Sequence, residues 1–306
     1  NIYHNDITNL CANIDNFNYY NYDFLEHNDV LFKKQGKHKE NKNRIKLAWI
    51  PTGRGCSFDC SYCGGNRKMF SEVFKSNCMF PNSVDSIINM MQKLNKKYNI
   101  SCFGITHDFG IFGKNYWKDI ISKIKKLSFK PAIHNYLFQL PDSEYIKEFI
   151  NGTNEEETII GIPVVCGNEE KRIKNGKLFT NKELFNFIDL FINKKTKLEI
   201  YFIANPLYGK LTYQETINLI RDIKEKYKNI VNFDIACGFE IIQPYSKKQI
   251  GPNTSLKTFR DYYYRYSFDF LKDIKTGNKL EYLVGEDKYD AELTKIIKEI
   301  NEVINE

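Results

Sequence analysis

The sequence predicts an α/β fold built on parallel strands, and three observations carry that expectation. Short apolar runs of strand type alternate with stretches of helical periodicity from about residue 45 onward. Each run is followed by a helix, the pattern of successive right-handed βαβ units. Six such runs are present, too few to close an eight-stranded barrel, so the expected architecture is an open, partial (β/α)6 TIM-like barrel.

Residues 1–45 are polar and aromatic by turns, without a clear period. They are expected to form an irregular lead-in that ends in a solvated Lys-rich loop. The first strand is expected at 45–51 and runs into a glycine-flanked loop. Ser83 then caps a helix whose Val84, Ile87, Ile88, Met91 and Leu94 recur at helical spacing. Further strands are expected at 100–106, 132–138, 158–165, 198–204 and 231–242, and further helices at 117–127, 143–150, 182–193 and 213–227. Beyond Tyr245 the Gly251-Pro252 pair breaks the pattern and an aromatic helix is expected at 259–273. A last amphipathic helix places Leu293, Ile296, Ile297, Ile300, Val303 and Ile304 on one face, suited to docking on the barrel. The expected organisation is a lead-in at 1–45, a barrel at 46–245 and a helical extension at 246–306.

The 306 residues are 42% hydrophobic and 15% aromatic, as in a globular chain with a large core. No apolar run approaches the roughly 20 residues needed to span a bilayer, so a soluble protein without membrane partners is expected. No basic stretch followed by an apolar run opens the chain, so no secretory signal is expected. The net charge of +7 comes from 38 Lys and only 7 Arg. A nucleic-acid reader making bidentate contacts would be richer in Arg, so the lysines are read as solvated helix faces and a nucleic-acid partner is not expected. Of eight cysteines, three crowd into one loop, and Cys102, Cys166 and Cys237 lie in strand-like runs where a thiol serves as a small buried hydrophobe. A reducing cytoplasm fits that usage.

The loop after the first strand reads Gly53-Arg-Gly-Cys-Ser-Phe-Asp-Cys-Ser-Tyr-Cys-Gly-Gly65, with Cys56, Cys60 and Cys63 spaced C-x3-C-x2-C. Three thiolates this close can reach three corners of one four-iron four-sulfur cube. A cluster that only carries electrons usually has four cysteine ligands, so a missing fourth invites an exogenous ligand. A structural zinc site is the rival, with Cys78 or His107 as the further ligand, although zinc knuckles prefer C-x2-C pairs. Asp59 and Ser57 read as loop formers, and Phe58 and Tyr62 as shields.

This spacing, with an aromatic residue before the third cysteine and Gly64-Gly65 after it, resembles the radical S-adenosylmethionine (SAM) enzymes. The resemblance implies a 4Fe-4S cluster, SAM on the open iron, a partial barrel, and reductive cleavage to a 5′-deoxyadenosyl radical. It also implies oxygen sensitivity and a reductant such as flavodoxin or ferredoxin. Tyr62 would then lie near the adenine. The family's Gly-Gly-Glu stretch after the second strand is replaced here by Ile105-Thr-His-Asp-Phe-Gly110, a departure in which Asp108 stands for the usual acid, with Thr106 and His107 beside it. Arg172, near Glu169 and Glu170, is the candidate for the SAM carboxylate, since a guanidinium binds a carboxylate bidentately. The Asn205-Pro206 turn and the backbone around Ala236 are the candidates near the adenine. No catalytic side chain is singled out.

Within the family the chain resembles the catalytic half of cobalamin-binding radical SAM proteins, through its lead-in, the Arg54-Gly-Cys56 entry, the His107-Asp108 turn and Asn205-Pro206. That kinship implies cobalamin, but 45 residues cannot form the usual cobalamin module, so no cobalamin is expected on this chain. The expected substrate is a peptide or a small molecule. The alternatives are a cobalamin-dependent methyltransferase whose cobalamin domain lies outside this chain, and an iron–sulfur electron-transfer or accessory protein.

Overall fold

Six strands hydrogen-bond in the order in which the chain makes them, all parallel. The structure is a computed structural model, which describes residue 15 and residues 46–60, 63, 65–74, 79–204, 209–230, 232–239 and 287–306. In chain order the elements begin with β1 (Leu47–Ile50), the two-residue β2 (Gly53–Arg54), α1 (Arg67–Phe74), β3 (Phe80–Pro81) and α2 (Val84–Tyr98). Next come β4 (Cys102–Ile105), a 3-10 turn (Phe109–Phe112), α3 (Lys114–Ile124), β5 (Ala132–Tyr136), α4 (Ser143–Gly152) and β6 (Ile159–Val165). The described chain ends with α5 (Glu169–Lys174), α6 (Asn181–Asp189), β7 (Lys197–Ala204), α7 (Gly209–Tyr227), β8 (Phe233–Phe239) and α8 (Asp287–Asn305).

The sheet order is β1-β4-β5-β6-β7-β8, and every neighbouring pair is parallel. Winding always in one direction leaves no switch point, so the helices collect on one face, as in a TIM-like barrel that stops at six strands. Among the described residues the sheet stays open, with β1 and β8 at its edges. The helix-covered face is one continuous core. It takes Ala48, Ile50, Phe103, Ile105, Ile133, Ile160, Ile162, Val164, Leu198, Ile200 and Phe202 from the strands, and Met91, Trp117, Phe149, Ile188 and Ile220 from the helices. Because strand side chains alternate, the other face carries Trp49, Gly104, His134, Tyr136, Gly161, Glu199, Tyr201 and Ala236.

Local chemistry sets the helix ends. The Ser83 hydroxyl accepts from Ser86 N at the start of α2, and Asn99 closes that helix in the left-handed region at φ 54°. Thr180 and Glu183 form a reciprocal capping box on α6. The last helix docks as expected: Ile296, Ile300 and Val303 are buried, and Lys224 of α7 donates to the terminal carbonyls of Val303 and Ile304 at 2.9 and 3.0 Å. No described helix is long and apolar enough to cross a membrane. The six strands fall where the apolar runs put them, within a few residues. Five short elements were not expected: β2 and β3, which pair antiparallel, α1, the 3-10 turn and α5. The aromatic helix at 259–273 lies outside the described residues.

Candidate functional site

The cysteine loop sits at the carboxyl end of β1, the end of the strands where a parallel α/β sheet places its reactive groups. Its entry is fixed by the β2–β3 pairing, Gly53 with Pro81 and Arg54 with Phe80. A Cβ at Gly53 would come within 2.6 Å of the tip of the Phe112 ring, so a side chain there would have to displace that ring. Gly55 follows in the left-handed region at φ 88°. Inside the loop Cys63 N donates to Cys60 O at 3.2 Å and Arg67 N to Phe58 O at 2.9 Å. The buried Asn66 amide donates to Cys63 O at 2.5 Å. Asp59 forms the loop as expected, taking Arg67 Nη2 at 2.5 Å and Lys68 N at 3.2 Å. Phe58 packs edge-on against Phe138, 6.0 Å between centroids.

All three cysteines are half-buried, and none forms a disulfide among the described residues. Backbone amides donate to two of the sulfurs, Phe58 N to Cys56 Sγ at 3.4 Å and Gly65 N to Cys63 Sγ at 3.3 Å. Such bonds favour a thiolate and tune a bound cluster. Burial pushes the Cys56 thiol up, partly offset by the Phe58 amide and by the nearby Lys177 charge. Among the described residues no three His, Cys, Asp or Glu side chains gather around a single-ion position. A cube takes each thiolate at a different iron, so a cluster would not need the three to converge on one point.

No family model matches the chain. One curated relative, the ribosomal RNA small subunit methyltransferase E 1 of Borreliella burgdorferi (strain B31), is 31% identical over 138 residues, 42% of this chain and 53% of that protein. The chain thus spans about half the length of the curated relative it matches. Among solved structures the chain is similar to the radical SAM methyltransferase TsrM of Kitasatospora setae, determined with cobalamin and a [4Fe-4S] cluster. That likeness is at 14% identity and TM-score 0.49, over 67% of this chain and 36% of that one. It is similar to the cobalamin-dependent SAM radical enzyme OxsB with aqua-cobalamin, at 18% identity and TM-score 0.46, over 56% and 26%. It is also similar to methylornithine synthase (PylB), at 10% identity and TM-score 0.47, over 72% and 62%. Likeness at this level bears on neither activity nor substrate.

The expected SAM contacts separate into groups. Thr106 and His107 brace the cysteine loop. Thr52 N donates to Thr106 Oγ1 at 3.0 Å, His107 Nδ1 lies 3.1 Å from that hydroxyl, and His107 Nε2 lies 2.9 Å from Gly55 O. A carbonyl only accepts, so Nε2 carries the proton and Nδ1 accepts from Thr106. Burial holds His107 below the usual imidazole value, which keeps this neutral form. The Thr52 hydroxyl locks the same corner, donating to His107 O at 2.7 Å and accepting from His107 N at 2.8 Å. Ala236 lies on the open face, paired in register with Tyr201. Tyr62 and Asn205 lie outside the described residues.

Asp108 and Arg172 are both buried among protein partners. Asp108 is buried and points into the fold, where Oδ1 accepts from Tyr145 Oη at 2.6 Å, Gly110 N at 3.1 Å and Asn135 Nδ2 at 3.2 Å. Burial pushes its carboxyl above the ordinary range. Arg172 has no exposed surface, and its donors go to Phe179 O at 3.0 Å, Cys166 O at 2.9 Å and Asn181 Oδ1 at 2.6 Å. It stacks on Phe179, 5.0 Å from the ring centroid. Both side chains spend their polar atoms on holding loops in place.

Two features were missed. The first is the loop after α5. Gly176, in the left-handed region at φ 100°, lies so close to the cysteine loop that a Cβ there would stand 2.9 Å from Cys60 Cα. Its carbonyl receives Gln139 Nε2 at 2.6 Å, and the buried Lys177 next to it donates to Phe138 O at 2.7 Å. The second is the open face of the sheet. Trp49 lies across Gly104 and is 52% exposed, while Tyr136 lies across Gly161. Tyr201 donates to Glu199, which also takes Lys197 at 2.7 Å. The one available signal was the strand-like run that mixes glycine, tyrosine and charge on a single alternating register.

Proposed function

We propose that this chain is a radical SAM enzyme in which Cys56, Cys60 and Cys63 hold a 4Fe-4S cluster and SAM completes the open iron. The carrying observation is the C-x3-C-x2-C loop at the carboxyl end of β1, with half-buried thiols and backbone amides directed at two of them. With such a cluster bound, the chemistry supplied is one-electron reductive cleavage of SAM. The chain's own residues do the positioning. Thr52, Thr106 and neutral His107 hold Gly55 and so the loop entry, Asn66 ties its exit to Cys63 O, and Phe58 and Phe138 exclude water from one side.

The open face of the sheet is the place for a peptide or small-molecule substrate, since Trp49, Tyr136 and Tyr201 offer aromatic surface beside the polar Glu199 and Lys197. Reduction would come from a flavodoxin or ferredoxin. The function needs no cobalamin on this chain, so added hydroxocobalamin should form no tight stoichiometric complex.

The test is anaerobic reconstitution with iron and sulfide, then SAM and dithionite, with analysis for 5′-deoxyadenosine. The expected result is one four-iron cluster and 5′-deoxyadenosine formation, both lost in Cys56→Ala, Cys60→Ala or Cys63→Ala. Stoichiometric zinc in the purified protein, or a cluster that survives loss of any one of the three cysteines, would overturn the reading.

A further inference from the structure

The last residue of β6, Val165, has φ 77°, and Cys166 N closes a three-residue turn onto Val164 O at 3.0 Å. That is a γ-turn of the rare, strained kind, centred on a β-branched side chain that avoids positive φ. The register of β6 on β7 slips between Pro163 and Val165, so the strand is bent out of its ladder here. Arg172 holds the result, its Nη1 donating to Cys166 O at 2.9 Å from a fully buried guanidinium. Val165 and Cys166 are both buried, and the residues packed against the pair are Cys60, Cys63 and Ile203. Strain of this kind persists where the surroundings over-determine it, and it gathers at working sites.

We propose that Val165 is a positioning residue for the cysteine loop. Its strained turn swings the end of β6 against Cys60 and Cys63, making a dry wall that shields these sulfurs, and a cluster bound to them, from water and oxygen. This rests on the cluster reading above. An ordinary strand ending would carry the chain past the loop, whereas the turn sets the two side chains of greatest use, a branched aliphatic and a buried thiol, behind the sulfurs.

The experiment uses the full chain in two states. In the reduced, cluster-free protein at one fixed pH, iodoacetamide labelling of Cys60 and Cys63 is timed by peptide mass mapping. Val165→Gly and Val165→Ala should label several-fold faster than wild type, and Val165→Ile should match wild type. The reconstituted proteins are then exposed to air, and the iron–sulfur absorbance should fade several-fold faster in the Gly and Ala variants and at the wild-type rate in the Ile variant. Val165→Ala keeps the backbone chirality, so acceleration in both small variants marks the wall rather than relief of strain. Equal labelling in all four proteins would overturn the wall whether or not a cluster forms. A wild-type chain that takes up no cluster would overturn the functional reading, and the shield with it, even with labelling as expected.

Discussion

On the helix-covered face of the sheet, Ile50, Phe103, Ile133, Ile160 and Ile200 have no exposed surface, and the Asp108 carboxylate accepts from Tyr145, Asn135 and Gly110. On the opposite face the same strands carry a half-exposed Trp49, glycines at 104 and 161 that leave room for aromatic rings, and a Tyr201–Glu199–Lys197 chain of polar contacts. One face is finished by the fold itself and the other is left with surface and polar groups to offer. The contrast explains why a charged residue type alone is a weak guide: Arg172 and Asp108 have the chemistry of ligand contacts, yet both are buried against protein partners.

The largest effect that sharpens this contrast is expected from Arg172→Met. Methionine preserves much of the volume but leaves Cys166 O and Phe179 O, both buried acceptors, without their donor. At about 1–3 kcal/mol for each buried group left unsatisfied, the loss should reach about 3 kcal/mol, read as a lower urea midpoint at unchanged slope. A SAM-binding defect in Arg172→Met without that loss of stability would return Arg172 to the site and break the comparison.

Asp108→Asn is expected to have a smaller effect that depends on pH. The native carboxyl holds its proton to higher pH than the unfolded one, so between the ordinary carboxylate value and the raised native value the folded state binds more protons. Wild-type stability therefore falls as pH rises through that window. Asparagine has no proton to lose, so the stability of Asp108→Asn relative to wild type should grow from pH 4 upward until wild-type Asp108 ionises in the folded state. Unfolding measured across that range for both proteins cancels the groups they share. A difference that stays flat would mean that Asp108 is solvated and ionised as usual.

How much of this was legible follows from where each signal lives. The strands and long helices are written in apolar periodicity, and Ser83 announces its cap, because these depend on neighbours in sequence. The cysteine loop is likewise written in spacing. By contrast α5, with Glu169, Glu170, Lys171, Arg172 and Lys174 in six residues, has no apolar stripe to read; its start is set by Asn168 accepting from Lys171 N. Arg172 is buried because acceptors from 166, 179 and 181 converge on it, a fact of tertiary structure. Val165 reads locally as a strand residue, and its positive φ opposes its own propensity. Those departures lie beside the cysteine loop, where local preference is expected to yield to site geometry.

The smallest effect concerns the open face itself. A Cβ added at Gly104 would meet the Trp49 ring at 2.7 Å, a contact that cannot persist, so Gly104→Ala must move that ring. In a packed core such a clash would cost about 1–3 kcal/mol. Trp49 is 52% exposed and can swing toward solvent, so the expected loss is under about 1 kcal/mol, close to that of a surface substitution. The double variant with Trp49→Ala should recover part of even that loss, because the two residues touch and their effects are not additive. The fluorescence of Trp49, separable from the buried Trp117 by a Trp117→Phe background, should shift to longer wavelength in Gly104→Ala as the ring leaves the sheet. A large loss of stability with an unshifted spectrum would mean that Trp49 is locked in place. The open face would then be a second packed layer, with no room at Trp49 for a substrate.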